Sequence, residues 1–406
     1  MTTGSEKPSR PGPRIRRGRV GFVYPMRWLD SIPSLANAIS ILTEQGYLVD
    51  VYTSGTQNIR SFGPGVELIE YPGRLPVGSA GKSKVRSQTA KLLSVVPAAL
   101  RFWFRHWRSR YRCLLGVDPE GLVEANRISA LTRVPLAYYS LELLLSDEIE
   151  GPGDLLLKKK EKALMRRVEF AIIQDRDRAR LLGEDNDLDE RRILLVPNAP
   201  LSGRPVGSER YWHDRFGLSD STRVALHAGS VDEWTGLESI VQFTSEWPPD
   251  WVFVIHTKER PDGPLMEHMR EVSPEGRVLF SFDPVSRTEY DQLLESSNAG
   301  IAFYVPSGTR HTQKNIIFAG LSSGKVAYHL RAGVPVIVNA ESISLARFID
   351  STGAGVVVES ASQISAALAQ IELNQEQFSE AAKRAFADQL DFAGSFDAVL
   401  KRLEEL

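Results

Sequence analysis

The chain has 406 residues, 42% of them hydrophobic and 25% charged, a balance that excludes wholesale disorder and is long enough for two cores. With 49 Lys and Arg against 51 Asp and Glu, its net charge of −2 argues against a general nucleic-acid binder. No run approaches the roughly 20 apolar residues that cross a bilayer. The single cysteine, Cys113, allows no intrachain disulfide, so a reducing, cytoplasmic compartment is expected.

Met1–Arg17 is rich in Pro, Gly and Arg without an apolar centre, so residues 1–18 read as a disordered tail and not as a secretory signal. Short apolar, β-branched runs then alternate with longer amphipathic ones, the pattern of α/β units around a parallel sheet. Strands are expected at Val20–Tyr24, Leu48–Thr53, Val66–Tyr71, Arg112–Val117, Leu136–Tyr139, Phe170–Ile173 and Ile193–Val196. Helices are expected at Leu35–Glu44, Ser83–Ser109, Leu122–Leu131, Leu155–Arg167 and Arg176–Leu182. Pro197-Asn198-Ala199-Pro200 then makes a stiff, non-helical joint.

After the polar stretch Leu201–Ser221 the alternation resumes. Strands are expected at Val224–Ala228, Trp251–Thr257, Val278–Phe282, Gly300–Tyr304, Val334–Val338 and Gly355–Val358. Helices are expected at Leu237–Glu246, Arg287–Glu295, Lys325–Arg331 and Ile343–Ile349, and over most of Gln375–Leu406. The expected architecture is α/β, with two Rossmann-like, doubly wound domains facing across a cleft. Their limits are 19–198 and 199–374, followed by terminal helices at 375–406. Ligands of such sheets sit at the carboxyl ends of the strands.

The strongest chemical signal is Ser322–Val338, SSGKVAYHLRAGVPVIV. Small residues (Ser322, Ser323, Gly324) ahead of a helix leave backbone N–H groups and the positive helix end able to hold a phosphate, and Lys325 adds a full charge. Gly229 and Ser230 end another strand, where glycine lets the backbone come close to a phosphate or simply makes a βα turn. Phe303–Gly324 reads as a long loop without structure that carries Arg310, His311, Lys314 and Asn315, cationic and amide groups suited to a pyrophosphate leaving group. Asp118, past the fourth strand, suits either a helix cap or a sugar hydroxyl. Glu142, past the fifth, suits acceptor binding or proton removal, or is an exposed loop carboxylate. No Walker A loop, clustered zinc ligands, Gly-x-Ser-x-Gly elbow or dinucleotide fingerprint is found, so neither a metal nor a nicotinamide cofactor is expected.

Between residues 82 and 112 lies a basic, helix-forming segment ending Arg101-Phe102-Trp103-Phe104-Arg105-His106-Trp107-Arg108. Its charges suit an anionic membrane surface, and its aromatics are expected to pack on the sheet.

On Gly116-Val117-Asp118, Tyr138–Leu143, Ile172–Asp175 with Arg178, Val196-Pro197-Asn198, Gly229-Ser230 and above all Ser322–Val338, the chain resembles glycosyltransferases of the GT-B fold, family 4-like, over most of residues 19–400. The resemblance implies transfer of a sugar from a nucleotide diphosphate sugar to an acceptor hydroxyl of a glycan or lipid, in glycan, polysaccharide or glycolipid synthesis. It implies a donor held by the second domain, an acceptor held by the first, a terminal helix crossing back onto the first, and no bound metal or other cofactor. A lipid-linked acceptor would place the enzyme in the cytoplasm, peripheral on the inner face of the membrane. Two glutamates usual in that family are here Gly320 and Tyr328. The basic pair usual after the glycine of the phosphate loop is missing, Glu233 and Thr235 occupying that neighbourhood, and no histidine precedes Asp118. A sugar-nucleotide epimerase and a non-catalytic module of the same fold are the alternatives.

Overall fold

The structure, a computed structural model, describes residues 17–26, 32–54, 62–70, 104, 107, 110–203, 210–261, 263–307 and 313–406. The chain separates into two compact units, Met1–Ala137 with Leu403–Leu406, and Tyr138–Arg402.

The described elements of the first unit are β1 (Arg19–Tyr24), α1 (Pro33–Glu44), β2 (Leu48–Thr53), β3 (Val66–Glu70), β4 (Tyr111–Val117) and α2 (Asp118–Thr132). Their strands stand in the order β3-β2-β1-β4, with β1 parallel to both β2 and β4. The sheet order therefore reverses between β1 and β4, the kind of place where doubly wound sheets hold ligands. The turn leaving β4 is tight enough to demand glycine. A Cβ on Gly116 would lie 2.4 Å from the Cα of Leu122, and one on Gly121 would lie 2.3 Å from the carbonyl oxygen of Val23. Leu403–Leu406 group with this unit, and Glu404 pairs with Arg17 there.

The second unit begins within β5 (Leu136–Tyr139) and goes on through α3 (Pro152–Met165), β6 (Val168–Ile173), α4 (Arg176–Asn186) and β7 (Ile193–Leu195), with strands in the order β5-β6-β7. It continues with α5 (Tyr211–Phe216), β8 (Arg223–Ala228), α6 (Leu237–Phe243), β9 (Trp251–His256), α7 (Pro264–Val272), β10 (Val278–Ser281) and α8 (Arg287–Glu295). Then come β11 (Ala299–Ile301), α9 (Lys314–Ile317), α10 (Gly324–Arg331), β12 (Val336–Asn339), α11 (Ile343–Thr352), β13 (Gly355–Val358), α12 (Ile364–Leu373), α13 (Gln375–Gln389) and α14 (Phe392–Glu405).

A six-stranded sheet of order β10-β9-β8-β11-β12-β13, parallel throughout, forms its core. Alternation sorts its side chains into two layers. Val224, Leu226, Val252 and Val254 face α5 and α8 through Trp212 and Leu293, while Ala225, Trp251, Phe253 and Ile255 face α6, α7 and α12.

Most expected strands lie within one or two residues of their observed limits, because apolar β-branched runs bounded by turns leave little latitude. The exceptions are instructive. The strand expected at Gly300–Tyr304 ends at Ile301, and the one expected from Val334 begins at Val336. The stretch 303–324, expected to be unstructured, contains α9 and a 3-10 turn at Gly320–Ser322. Helices α5, α7, α9 and α12 were not anticipated. The expected helix Ser83–Ser109 lies outside the described residues apart from Phe104 and Trp107, both helical. Those two aromatics do not pack on the sheet as expected. Phe104 is 53% and Trp107 71% exposed, with ring centroids 6.1 Å apart.

Candidate functional site

The order of the six-stranded sheet reverses between β8 and β11, and the candidate site is assembled where their carboxyl ends part. Past β8 the chain turns at Gly229 (φ +159°), where a Cβ would lie 3.1 Å from Cε and 3.7 Å from Nζ of Lys325. Lys325 sits in the first turn of α10. Its Nζ is buried without any hydrogen-bonding partner among the described residues. The group instead faces two aromatic rings, 5.1 Å from the centroid of Tyr304 and 5.8 Å from that of Trp234, which stack on each other 5.8 Å apart. Burial pulls the ammonium down to about 7, since removal from water disfavours the charged form. The ring faces act in the opposite direction by attracting a cation.

Among the described residues Lys325 makes no ion pair either, and burial alone accounts for its shift. His227 and His329, both fully buried, lie close enough for Lys325 to help hold them neutral, after burial as the main cause. His227 has a ring nitrogen 2.9 Å from the carbonyl oxygen of Ser230, which fixes the turn beside Gly229. At the start of α10 the hydroxyl of Ser323 accepts the N–H of Val326 at 3.3 Å, so one of the amides expected to be free is already capped. The same hydroxyl meets that of Tyr304 at 2.5 Å. Asn339 holds Tyr304 in place, accepting its N–H at 2.7 Å and donating to its carbonyl at 2.8 Å. Asn198, from the proline joint, donates to the carbonyl of Ser322 at 3.0 Å and packs against Gly324. The side chain of Ser322 turns back to the carbonyl of Ala319.

Glu142, after β5, belongs to the same neighbourhood, for its charge helps raise the pKa of Tyr304 above that of an ordinary phenol, a shift led by burial. By area the carboxylate is 58% exposed. Burial shifts its pKa upward, Arg178 at 4.0 Å opposes this, and the solvent access weakens the shift.

Asn315 and Lys314 lie close by in sequence but are otherwise engaged. The amide of Asn315 pairs with the backbone of Leu143 like a strand residue, accepting its N–H at 2.8 Å and donating to its carbonyl at 2.9 Å. Arg178 donates to the Asn315 oxygen at 3.1 Å and to the carbonyl of Leu141 at 2.8 Å. Lys314 pairs through Nζ with Asp147, and its N–H donates to Glu148 at 2.8 Å. Arg310 and His311 lie outside the described residues.

The structure also accounts for the missing glutamates. A Cβ on Gly320 (φ +42°) would lie 2.5 Å from Oδ2 of Asp175, which accepts the N–H of Leu321 at 3.1 Å. That space is filled by another acid. Tyr328 packs edge-on against Tyr290, centroids 5.1 Å apart, with the Arg331 guanidinium 5.2 Å from its ring.

Asp118 belongs to the other unit, at the β1–β4 reversal, with a left-handed φ of +57° that is rare outside glycine. Val117 occupies the cap position of α2 and makes no side-chain cap bond. Sequence reasoning grouped Gly229, Ser323, Gly324 and Lys325 as donor contacts and set Glu142 apart as an acceptor group; the structure brings all five into one neighbourhood. The same reasoning missed Trp234, in a 3-10 turn six residues past β8, and Tyr304, three residues past β11, whose signal was an aromatic in each of the two loops that follow the strands flanking the reversal. Among the described residues no three His, Cys, Asp or Glu side chains form a metal-holding group, and no helix is long and apolar enough to cross a membrane.

Residues 318–395 match the sequence pattern of the glucosyltransferase 3-like C-terminal domain. No curated protein sequence matches the chain. Among solved structures it is similar to Anabaena HepE in complex with UDP and glucose, at TM-score 0.71 and 12% identity over 96% of this chain and 100% of that one. It is likewise similar to a sucrose-phosphate synthase from Thermosynechococcus elongatus, at TM-score 0.65 and 14% identity over 95% and 99%. A third likeness is to WaaG, a glycosyltransferase involved in lipopolysaccharide biosynthesis, at TM-score 0.60 and 14% identity over 93% and 98%. Two parallel doubly wound sheets, matched along nearly the whole chain, give this protein the GT-B fold.

Proposed function

We propose that the protein is a glycosyltransferase that moves a hexosyl or related unit from a nucleotide diphosphate sugar to a hydroxyl of a glycan or lipid-linked acceptor. The observation that carries this reading is the buried, unpartnered Lys325 ammonium beside Gly229 and the first turn of α10, where the order of the second sheet reverses. A nitrogen without a counter-charge there lacks what a diphosphate supplies. The glucosyltransferase match over residues 318–395 includes this segment. The HepE structures, solved with UDP and with UDP-glucose, make a uridine diphosphate sugar the first donor to test.

In this reading residues 19–198 bind the acceptor, 199–374 bind the donor, and 375–406 pack back on the first domain. Lys325 and the positive end of α10 offset the charge that grows on the diphosphate as the glycosidic bond breaks. The turns at Gly229-Ser230 and Ser322–Gly324 bring backbone near the phosphates, and Arg310 lends a second cation. Lys314 and Asn315, engaged by Asp147 and Leu143, act by shaping the loop. Glu142 takes the acceptor proton, and Asp118 binds an acceptor hydroxyl. The donor is a substrate, and no resident cofactor or metal is invoked. The exposed Phe104 and Trp107 support contact of residues 82–112 with the inner face of the cytoplasmic membrane.

The test is a screen of nucleotide sugars for donor hydrolysis and of nucleotide diphosphates for thermal stabilisation. One diphosphate should raise the melting temperature, and Lys325→Ala should weaken its binding at least tenfold, as removal of a charged hydrogen-bond donor does. No response to any nucleotide would refute the reading and favour a non-catalytic module, which the filled space at Gly320 would suit.

A further inference from the structure

Helix α3 (Pro152–Met165, PGDLLLKKKEKALM) carries its charges on two faces with different fates. Its inner face is a closed account of partners. Lys158, 3% exposed, donates to Glu161 at 2.7 Å, Asp185 at 2.6 Å and Asn186 at 2.9 Å, and Glu161 also accepts the hydroxyl of Tyr138 at 2.9 Å. Lys162, at the border, reaches Asp185 at 3.3 Å. This network and the buried Met165 hold the helix against α4 and fix which side faces outward.

The outward side follows the i, i+3, i+4, i+7 spacing of one helical face: Leu155, Leu156, Lys159, Lys160, Ala163 and, just past the helix, Arg166 and Arg167. All of these are exposed, and the leucines remain 45% and 55% open to water. No acidic residue stands among them. The stripe runs about 18 Å at 1.5 Å per residue, apolar at one end and cationic along most of the rest. Fold stability explains the inward lysine, whereas about half of each outward leucine is left open to water. Exposed leucines occur singly on ordinary surfaces, but an adjacent pair leading into a row of cations is the pattern of a helix that lies in a lipid interface.

We propose that this face of α3 docks on an anionic lipid bilayer, Leu155 and Leu156 entering the acyl boundary while Lys159, Lys160 and Arg166 meet the headgroup charge. The occupant follows from charge complementarity: a protein groove would need a matching apolar slot, whereas a bilayer offers both an apolar layer and a diffuse negative surface. This face is a different stretch of the sequence from residues 82–112, and its docking does not depend on sugar transfer.

The experiment is co-sedimentation of the full chain with vesicles of phosphatidylcholine alone and of phosphatidylcholine mixed with phosphatidylglycerol, across a salt series. Wild type should bind the mixed vesicles, with affinity falling as salt rises, and bind the neutral ones weakly. Lys159→Ala/Lys160→Ala should weaken binding roughly thirtyfold, the effect of two near-surface cations. Leu155→Ser/Leu156→Ser should weaken it at all salt concentrations. Melting curves and nucleotide-induced stabilisation of both variants should match wild type, which separates docking from folding and from the donor site. Absence of vesicle binding by wild type, unaltered binding by both double variants, or loss confined to Phe104→Ser/Trp107→Ser would overturn the proposal.

Discussion

Lys325 makes the protein respond to pH in two opposite senses. In the empty protein its pKa of about 7 lies below the usual lysine value of 10.5, because burial disfavours the charge. Between those two pH values the unfolded chain binds more protons than the folded one, so this group makes stability rise with pH, by at most about 1.4 kcal/mol per unit. Lys325→Met should flatten that rise in melting temperature between pH 7 and 10. A diphosphate reverses the preference, since the bound anion favours the ammonium. Binding above pH 7 then takes up a proton, and the dissociation constant should grow by up to tenfold per unit as pH climbs. Calorimetry in two buffers of different ionisation enthalpy reads that uptake directly; equal heats would refute it. Lys325 and Gly229 were legible in the sequence because a strand-end glycine and a helix-first lysine have few places to go. The engagement of Asn315 was not. Nothing local to Asn315 marks Leu143, 172 positions away, as its partner.

Elements were legible where the pattern is long and their joints where glycine is obligatory. The β4–α2 turn illustrates both. Gly116 and Gly121 stand where a Cβ would strike backbone at 2.4 Å and 2.3 Å, contacts that no rotamer relieves. Gly121→Ala should therefore lower the denaturant midpoint by the equivalent of about 2 kcal/mol or more. Gly153→Ala, in the first turn of α3 with nothing within 4 Å of its added Cβ, should be neutral or slightly stabilising. Equal effects would show that the strand–helix approach is looser than described. Helices α5, α7 and α12 escaped notice for different reasons. The six residues of α5 are too few for a periodic signal, and in α7 the start signal Gly263-Pro264 was passed over although Met266 and Met269 stand at helical spacing behind it. In α12, the near-continuous apolar run Ile364–Leu373 hides its period.

Across the whole molecule, the plan of two α/β sheets was visible in the alternation of strand and helix, but the grouping of its parts was not. Everything from Tyr138 to Arg402 forms one compact unit. The stitches are side chains: Asn315 to Leu143, Arg178 to Leu141 and Asn315, Asp175 to Leu321, and Asp177 to Ser344 and Arg347. Asn315→Ala should cost about 2 kcal/mol or more, because it leaves both the N–H and the carbonyl of buried Leu143 unpaired. A destabilisation below 0.5 kcal/mol in denaturant titration would mean that water replaces the amide.

The same stitches bear on any attempt to recombine this chain with a relative. The proline joint at 197–200 looks like the natural seam for a chimera, yet a splice there would match one parent's Leu143, Asp175 and Arg178 with the other's counterparts of Asn315 and Leu321. A hybrid cut at that seam should assemble poorly unless these five positions travel together, while one cut just before Tyr138 keeps every stitch within a single parent.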